Sequence, residues 1–147
     1  MSLPHLNYLS VLVAGIVIFL LGGLWYSPIL FAKRWMVLQG RTEEQVRADS
    51  ARANMPVMYL GAFVCGLIIA WAMAVLAYQF TPVGTMTTGS WALRGAKLGL
   101  FCWFGFAATT SFANAIFSMK PKALWLIDSG YNLVSFVLAG MILMLWR

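Results

Sequence analysis

The chain has 147 residues, 62% of them hydrophobic and only 10% charged, with a mean hydropathy of +0.83. Soluble domains carry about 25% charged residues, so this composition excludes an ordinary soluble enzyme and indicates a small membrane protein of one domain. The net charge of +6 does not indicate a nucleic-acid partner: no basic run is interleaved with exposed aromatics, and basic residues beside membrane helices meet anionic headgroups of the lipid bilayer instead.

Four runs approach the roughly 20 apolar residues needed to cross about 30 Å of hydrocarbon. They predict transmembrane helices over 6–30, 57–79, 92–118 and 123–146, packed as an all-α antiparallel bundle spanning residues 1–147. The first run is expected to be a retained helix rather than a signal peptide. Met1-Ser2-Leu3-Pro4-His5 carries no Lys or Arg, and the apolar stretch continues into Trp25-Tyr26-Ser27-Pro28 rather than a small-residue cleavage site. Gly15, Gly22 and Gly23 give this span places for close helix approach. Pro28 lacks a donor and is expected to free a carbonyl near Leu24.

The connection 33–55 is polar. It holds Glu43, Glu44 and Asp49 beside Lys33, Arg34, Arg41, Arg47 and Arg52. Thr42-Glu43-Glu44-Gln45 has capping-box spacing and predicts a short helix over 43–54, lying at the headgroup boundary. Pro56 either begins the second span or kinks a continuous helix.

Within span two, Ala62, Gly66, Ala70 and Ala74 recur every four residues, and span three carries Gly95 and Gly99. Such small-residue faces are expected to hold the tightest helix contacts, within one chain or between chains. Cys65 and Cys102 lie inside spans and read as small, buried packing residues, spaced for neither a disulfide nor a metal. His5 is the only histidine, so no metal and no cofactor is expected. The connector 80–90 is uncharged and rich in turn residues. Trp25, Tyr26, Trp35, Trp91, Trp125 and Trp146 fall near predicted interfaces, as aromatic belts do. Trp71 and Trp103 fall near mid-span and read as packing or lipid contacts, or as the wall of a cavity.

Asp128, in span four, is the only acid outside the 33–55 connection. Desolvating an ionised carboxylate costs at least a few kcal/mol, so it must be paired, hydrogen-bonded, protonated or open to water. Counting from the Met119–Lys122 turn at about 1.5 Å per residue, Asn114 and Asp128 enter at similar depth. Thr110 and Asn132 follow one turn deeper, with Ser135 on the face of Asp128 and Asn132. Trp25, Tyr26 and Tyr131 reach the same level, with Lys33 and Arg34 close behind. Two uses stay open. The cluster either clamps helix ends or forms a water-accessible site for an ion, proton or solute. Catalysis finds no nucleophile elbow, phosphate loop or His-bearing dyad.

The connections after spans one and three carry Lys33, Arg34, Arg41, Arg47, Arg52, Lys120 and Lys122, against Arg94, Lys97 and Arg147 on the other side. The positive-inside rule then puts both termini outside, periplasmic in a bacterium.

Gly22-Gly23-Leu24-Trp25-Tyr26-Ser27-Pro28 with Phe31, Lys33 and Trp35, the Thr42-Glu43-Glu44 start, Thr109-Thr110-Ser111-Phe112 with Asn114, and Leu124-Trp125-Leu126-Ile127-Asp128 with Gly130-Tyr131 form a combination found elsewhere. Together they resemble the domain of unknown function 1761, a family of small bacterial membrane proteins. The resemblance covers almost the whole chain. It implies four helices in a bacterial inner membrane and draws attention to Trp25, Tyr26, Pro28, Asn114, Asp128 and Tyr131, without supplying an activity. Two functions fit these residues. One is a channel or transporter with its site at Asp128, working as a homo-oligomer because four short helices rarely enclose a path alone. The other is a non-catalytic structural or accessory subunit of a larger membrane complex. A lipid-directed enzyme has scarcely any support in the residues.

Overall fold

In hydrocarbon a backbone must satisfy its own N–H and C=O groups, so long apolar runs fold as helices. A computed structural model describes residues 6–79 and 87–146; His5, most of the 80–90 connector and Arg147 lie outside the described residues. Helices α1 (Tyr8–Trp25), α2 (Ala32–Leu38), α3 (Glu43–Arg52), α4 (Met55–Gln79), α5 (Thr88–Cys102), α6 (Thr109–Phe117) and α7 (Lys122–Leu145) follow in order, with a π-helical stretch, Trp103–Ala108, joining α5 to α6. Four helices are long and apolar enough to cross a membrane: α1, α4, α7 and the continuous Thr88–Phe117.

Local chemistry sets the ends. Asn7 caps α1 by accepting from the amides of Leu9 and Ser10. The helix stops at Trp25, short of the expected residue 30. Ser27 turns the chain out, its amide and its hydroxyl both donating to Leu24 O, at 3.2 and 2.6 Å. The Leu24 carbonyl expected to be free is therefore taken. Helix α2, which the sequence does not announce, follows this elbow. The short helix expected over 43–54 is α3, with a complete capping box between Thr42 and Gln45. Ala53 is extended, so Pro56 starts α4 rather than kinking a continuous helix. Span three begins at Thr88 rather than 92 because Thr87 accepts from Ser90 N and caps it.

Helix α7 is the hub, packing on α1, α4, α5 and α6 and touching α2. Contact between α5 and α7 is backbone against backbone: a methyl on Gly95 would meet Gly140, and one on Gly99 would meet Phe136 and Val137. Gly15 of α1 approaches Leu67 of α4, and Gly66 faces the Gly15 carbonyl. Gly66, Ala70 and Ala74 of the span-two stripe are buried, whereas Ala62 is exposed. At that level the α1–α4 contact passes to rings, Phe19 meeting Tyr59 and Phe63 edge-on at 6.3 and 5.8 Å, and Ala62 is left out of it. Cys102 is buried as expected, but Cys65 is exposed. The amide of Asn7 reaches Trp146 O, while the indole of Trp25 reaches Ile127 O. Helices α1 and α7 therefore run in opposite senses, defining a terminal end and an arm end of the bundle.

Two turns at the arm end use the same C-terminal motif with different residues. After α2, Arg41 N bonds Met36 O and Gly40 N bonds Val37 O, with Gly40 at φ +68°. After α6, Lys120 N bonds Ala115 O and Met119 N bonds Ile116 O, with Met119 at φ +50°. This is the Schellman arrangement, whose left-handed position suits glycine. Met119 is 92% exposed, so its side chain offers little packing in return for that backbone.

Met119→Gly is expected to stabilise the bundle by about 0.5–1 kcal/mol, since a side chain in the left-handed region costs roughly 1–2 kcal/mol and glycine's extra chain entropy cancels part of that gain. Thermal unfolding in detergent measures it, and an unchanged or lower midpoint contradicts it. Gly99→Ala is expected to cost about 1–3 kcal/mol or more by forcing α5 off α7. Gly61→Ala, with nothing within 4 Å of the added carbon, is the matched control and is expected to leave the midpoint level or higher. Equal losses for the two would refute the backbone-contact account.

Candidate functional site

Asp128 lies early in α7 at the arm end and is half-buried. Its Oδ1 accepts two hydrogen bonds, from the Tyr26 hydroxyl at 2.8 Å and the Trp35 indole N–H at 3.1 Å. Tyr26 is the residue that ends α1 and Trp35 sits in α2, so one carboxylate oxygen holds both arms of the elbow. The two rings also meet edge-on at 5.7 Å.

More aromatic donors land on the same stretch of α7. The Trp25 indole donates to Ile127 O at 3.0 Å and the Trp103 indole to Ser129 O at 2.9 Å. A helical carbonyl has two lone pairs, so it serves the helix ladder and an indole together. Tyr131 returns the contact, its hydroxyl donating to Ile18 O at 3.1 Å. Two glycines leave room for the rings. A methyl on Gly22 would lie 3.2 Å from the Tyr131 oxygen, and one on Gly130 would lie 3.2 Å from the Trp25 ring. Each of these donors satisfies itself on a partner that hydrocarbon could not replace.

Asp128, Trp25, Tyr26 and Tyr131 thus come together. Asn114 and Thr110 do not join them. Both are exposed; Asn114 accepts from Ser118 in its own turn, and the Thr110 hydroxyl bonds Phe106 O of its own helix. The seam counted between spans three and four is therefore not formed. The wider turns of the π stretch retard the helical phase, so residues beyond Ala108 leave the face that an unbroken α-helix would present. Ser111 faces α7 instead, its hydroxyl accepting from the Trp125 indole at 3.0 Å. Asn132 is half-buried on α7 and Ser135 is buried. Lys33 and Arg34 are exposed. Among the described residues the ion pairs are Arg41–Asp49 and Arg47–Glu43, both in the polar arm.

Sequence reasoning missed the Trp35 and Trp103 bonds. Trp35 carried a signal, an indole donor just past the broken helix end, but its reach to Asp128 depends on the Ser27 turn. Trp103, read as a packing residue or a cavity wall, is fixed to α7 by its indole.

Among the described residues the Asp128 carboxyl meets neutral donors and no cation, and its Oδ2 takes no hydrogen bond. Chemically this arrangement can do two things. It can fasten α1 and α2 to α7, and its free oxygen can take a proton or a cation. Among the described residues no three of His, Cys, Asp and Glu gather as a metal site.

The family model described as a protein of unknown function, DUF1761, matches residues 9–144 of the chain. No curated protein and no solved structure matches it.

Asp128→Ala leaves the Tyr26 and Trp35 donors without their acceptor and is expected to cost about 1–3 kcal/mol. Asp128→Asn keeps an oxygen for both donors and is expected to cost less. Hydrogen–deuterium exchange locates the effect: Asp128→Ala should raise exchange across Ala32–Leu38 while leaving the buried turns of α4 unchanged. Protection of α2 that survives Asp128→Ala would show that the carboxylate does not hold it.

Proposed function

The chain belongs to the DUF1761 family, whose function is unknown, and we propose from its own geometry that it is a non-catalytic accessory subunit of a bacterial inner-membrane assembly. Its working part is the polar arm Ala32–Arg52, held at the membrane surface by the Asp128 clamp. The observation that carries this reading is α3. The helix has a complete capping box, and its residues join two ion pairs, yet it buries none of its ten residues. A polar helix that short is marginal unless its ends and charges are arranged for it. Local stabilisation of a helix that buries none of its own residues suits a surface offered to another molecule. The seven cations at the arm end, against three assigned to the other side, favour a cytoplasmic arm and periplasmic termini.

A second reading keeps the homo-oligomeric channel or transporter. What favours it is the Asp128 Oδ2, which takes neither a hydrogen bond nor a cation from the described residues and so is open to a proton or a cation. Several copies would be needed to surround a path.

Two measurements separate these readings. A photo-reactive residue replacing Glu44 is expected to give a discrete protein adduct in cells, lost in Asp128→Ala and kept in Met119→Gly. Proteoliposomes holding the wild-type chain are expected to pass ions and protons no faster than empty ones. Flux that Asp128→Asn abolishes would establish the transport reading in place of the first. Reaction of a cysteine at position 47 with an impermeant periplasmic reagent would overturn the orientation.

A further inference from the structure

The terminal end of the bundle holds a pair of cations that no Asp or Glu among the described residues neutralises. Arg94 and Lys97 stand three residues apart on α5, hence on one face, and both are exposed. Every Asp and Glu of the chain lies elsewhere: Glu43, Glu44 and Asp49 in the arm, Asp128 at the arm end of α7. Both cations line a cleft of about 320 Å³ whose other walls are Leu76 of α4, Leu98 and Phe101 of α5 and Met144 of α7. The depth follows from the neighbours, because Leu76 and Met144 lie within the last turn of α4 and of α7. The cleft therefore opens where headgroups give way to acyl chains. Its orientation is fixed, because Gly95 and Gly99 press α5 onto α7 and leave the face of Arg94 and Lys97 turned outward.

We propose that Arg94, Lys97 and this cleft form a binding site for an anionic phospholipid. The phosphate sits on the two cations and an acyl chain runs along Leu76, Leu98, Phe101 and Met144. A phosphodiester is the anion that a bilayer supplies at this depth, and Arg binds its oxygens in a planar fork while Lys adds a point charge. The apolar walls select an amphiphile over a free anion. They are continuous with the charged rim, so one molecule contacts both. The site does not depend on the role assigned to the arm.

The test uses the full chain in nanodiscs of equimolar phosphatidylglycerol and phosphatidylcholine, with retained lipids counted by native mass spectrometry. Phosphatidylglycerol is expected to be retained over phosphatidylcholine by on the order of tenfold, as two cations near the surface imply. Arg94→Gln with Lys97→Gln should abolish that preference. Exchanging the two residues, Arg94→Lys with Lys97→Arg, should keep it. Lys120→Gln with Lys122→Gln, at the opposite end, should also keep it. Equal retention of the two lipids by the wild-type chain overturns the proposal, as does a preference that survives the double glutamine variant in folded protein. Loss of preference in the Lys120 and Lys122 variant would reveal bulk charge rather than a site. Full displacement by inorganic phosphate would reveal an anion site without a lipid.

Discussion

The contact of α5 with α7 at Gly95, Gly99 and Gly140 is the constraint on which the rest of the bundle depends. Lipid tails are as apolar as leucine, so little hydrophobic force drives one membrane helix onto another. Close approach of two backbones supplies dispersion instead, and it does so only where no side chain intervenes. Once α5 is pressed onto α7, its rotation is fixed. Trp103 is brought over Ser129 O, and Arg94 and Lys97 are left facing out. The inward bond and the outward charge pair are two consequences of one glycine contact.

The arm end is fastened differently. There α7 offers polar acceptors rather than a bare backbone face: the Ile127 and Ser129 carbonyls and the Asp128 carboxylate. Rings from α1, α2 and the π stretch supply the donors. Bulky rings need space, and Gly22 and Gly130 provide it. The reward per bond is modest in a membrane, roughly 0.6 kcal/mol on average. Geometry is the larger gain, because Tyr26 and Trp35 flank the Ser27 turn and their shared acceptor fixes the elbow. The arm beyond the elbow then has a defined starting point even though α3 buries none of its residues. A rigid base with a free polar helix is what an accessory role would require, and Asp128 would serve it without chemistry of its own.

Much of the fold was legible because it follows from local rules. Four apolar runs of spanning length, the Thr42–Gln45 capping box and the glycine pair of span three each rest on a few neighbouring residues and on the solvent they face. The prominence of Asp128 was equally legible, since a carboxylate in an apolar run demands an explanation wherever the chain goes. Its partners were not. Asn114 is exposed, and its side chain is taken by Ser118 in its own turn. Depth follows from counting residues, whereas facing depends on helical phase: beyond the π stretch Ser111 rather than Thr110 meets α7, and nothing in Trp103-Phe104-Gly105-Phe106-Ala107-Ala108 announces that stretch.

The sequence alone therefore determined that this chain has four helices long and apolar enough to cross a membrane, where its charges concentrate, and that one acid needs a partner. These are matters of composition and of periodicity along one segment. Tertiary structure decided which faces meet: Ala62 is left out of the contact that takes Gly66, Ala70 and Ala74, and Asp128 is held by Tyr26 and Trp35 rather than Asn114. The physical reason is that hydrogen bonds and backbone contacts in a bundle join residues far apart in the chain, 102 positions for Tyr26 and Asp128 and 26 for Trp103 and Ser129. A turn such as Leu24–Ser27 or a change of phase such as Trp103–Ala108 redirects everything beyond it.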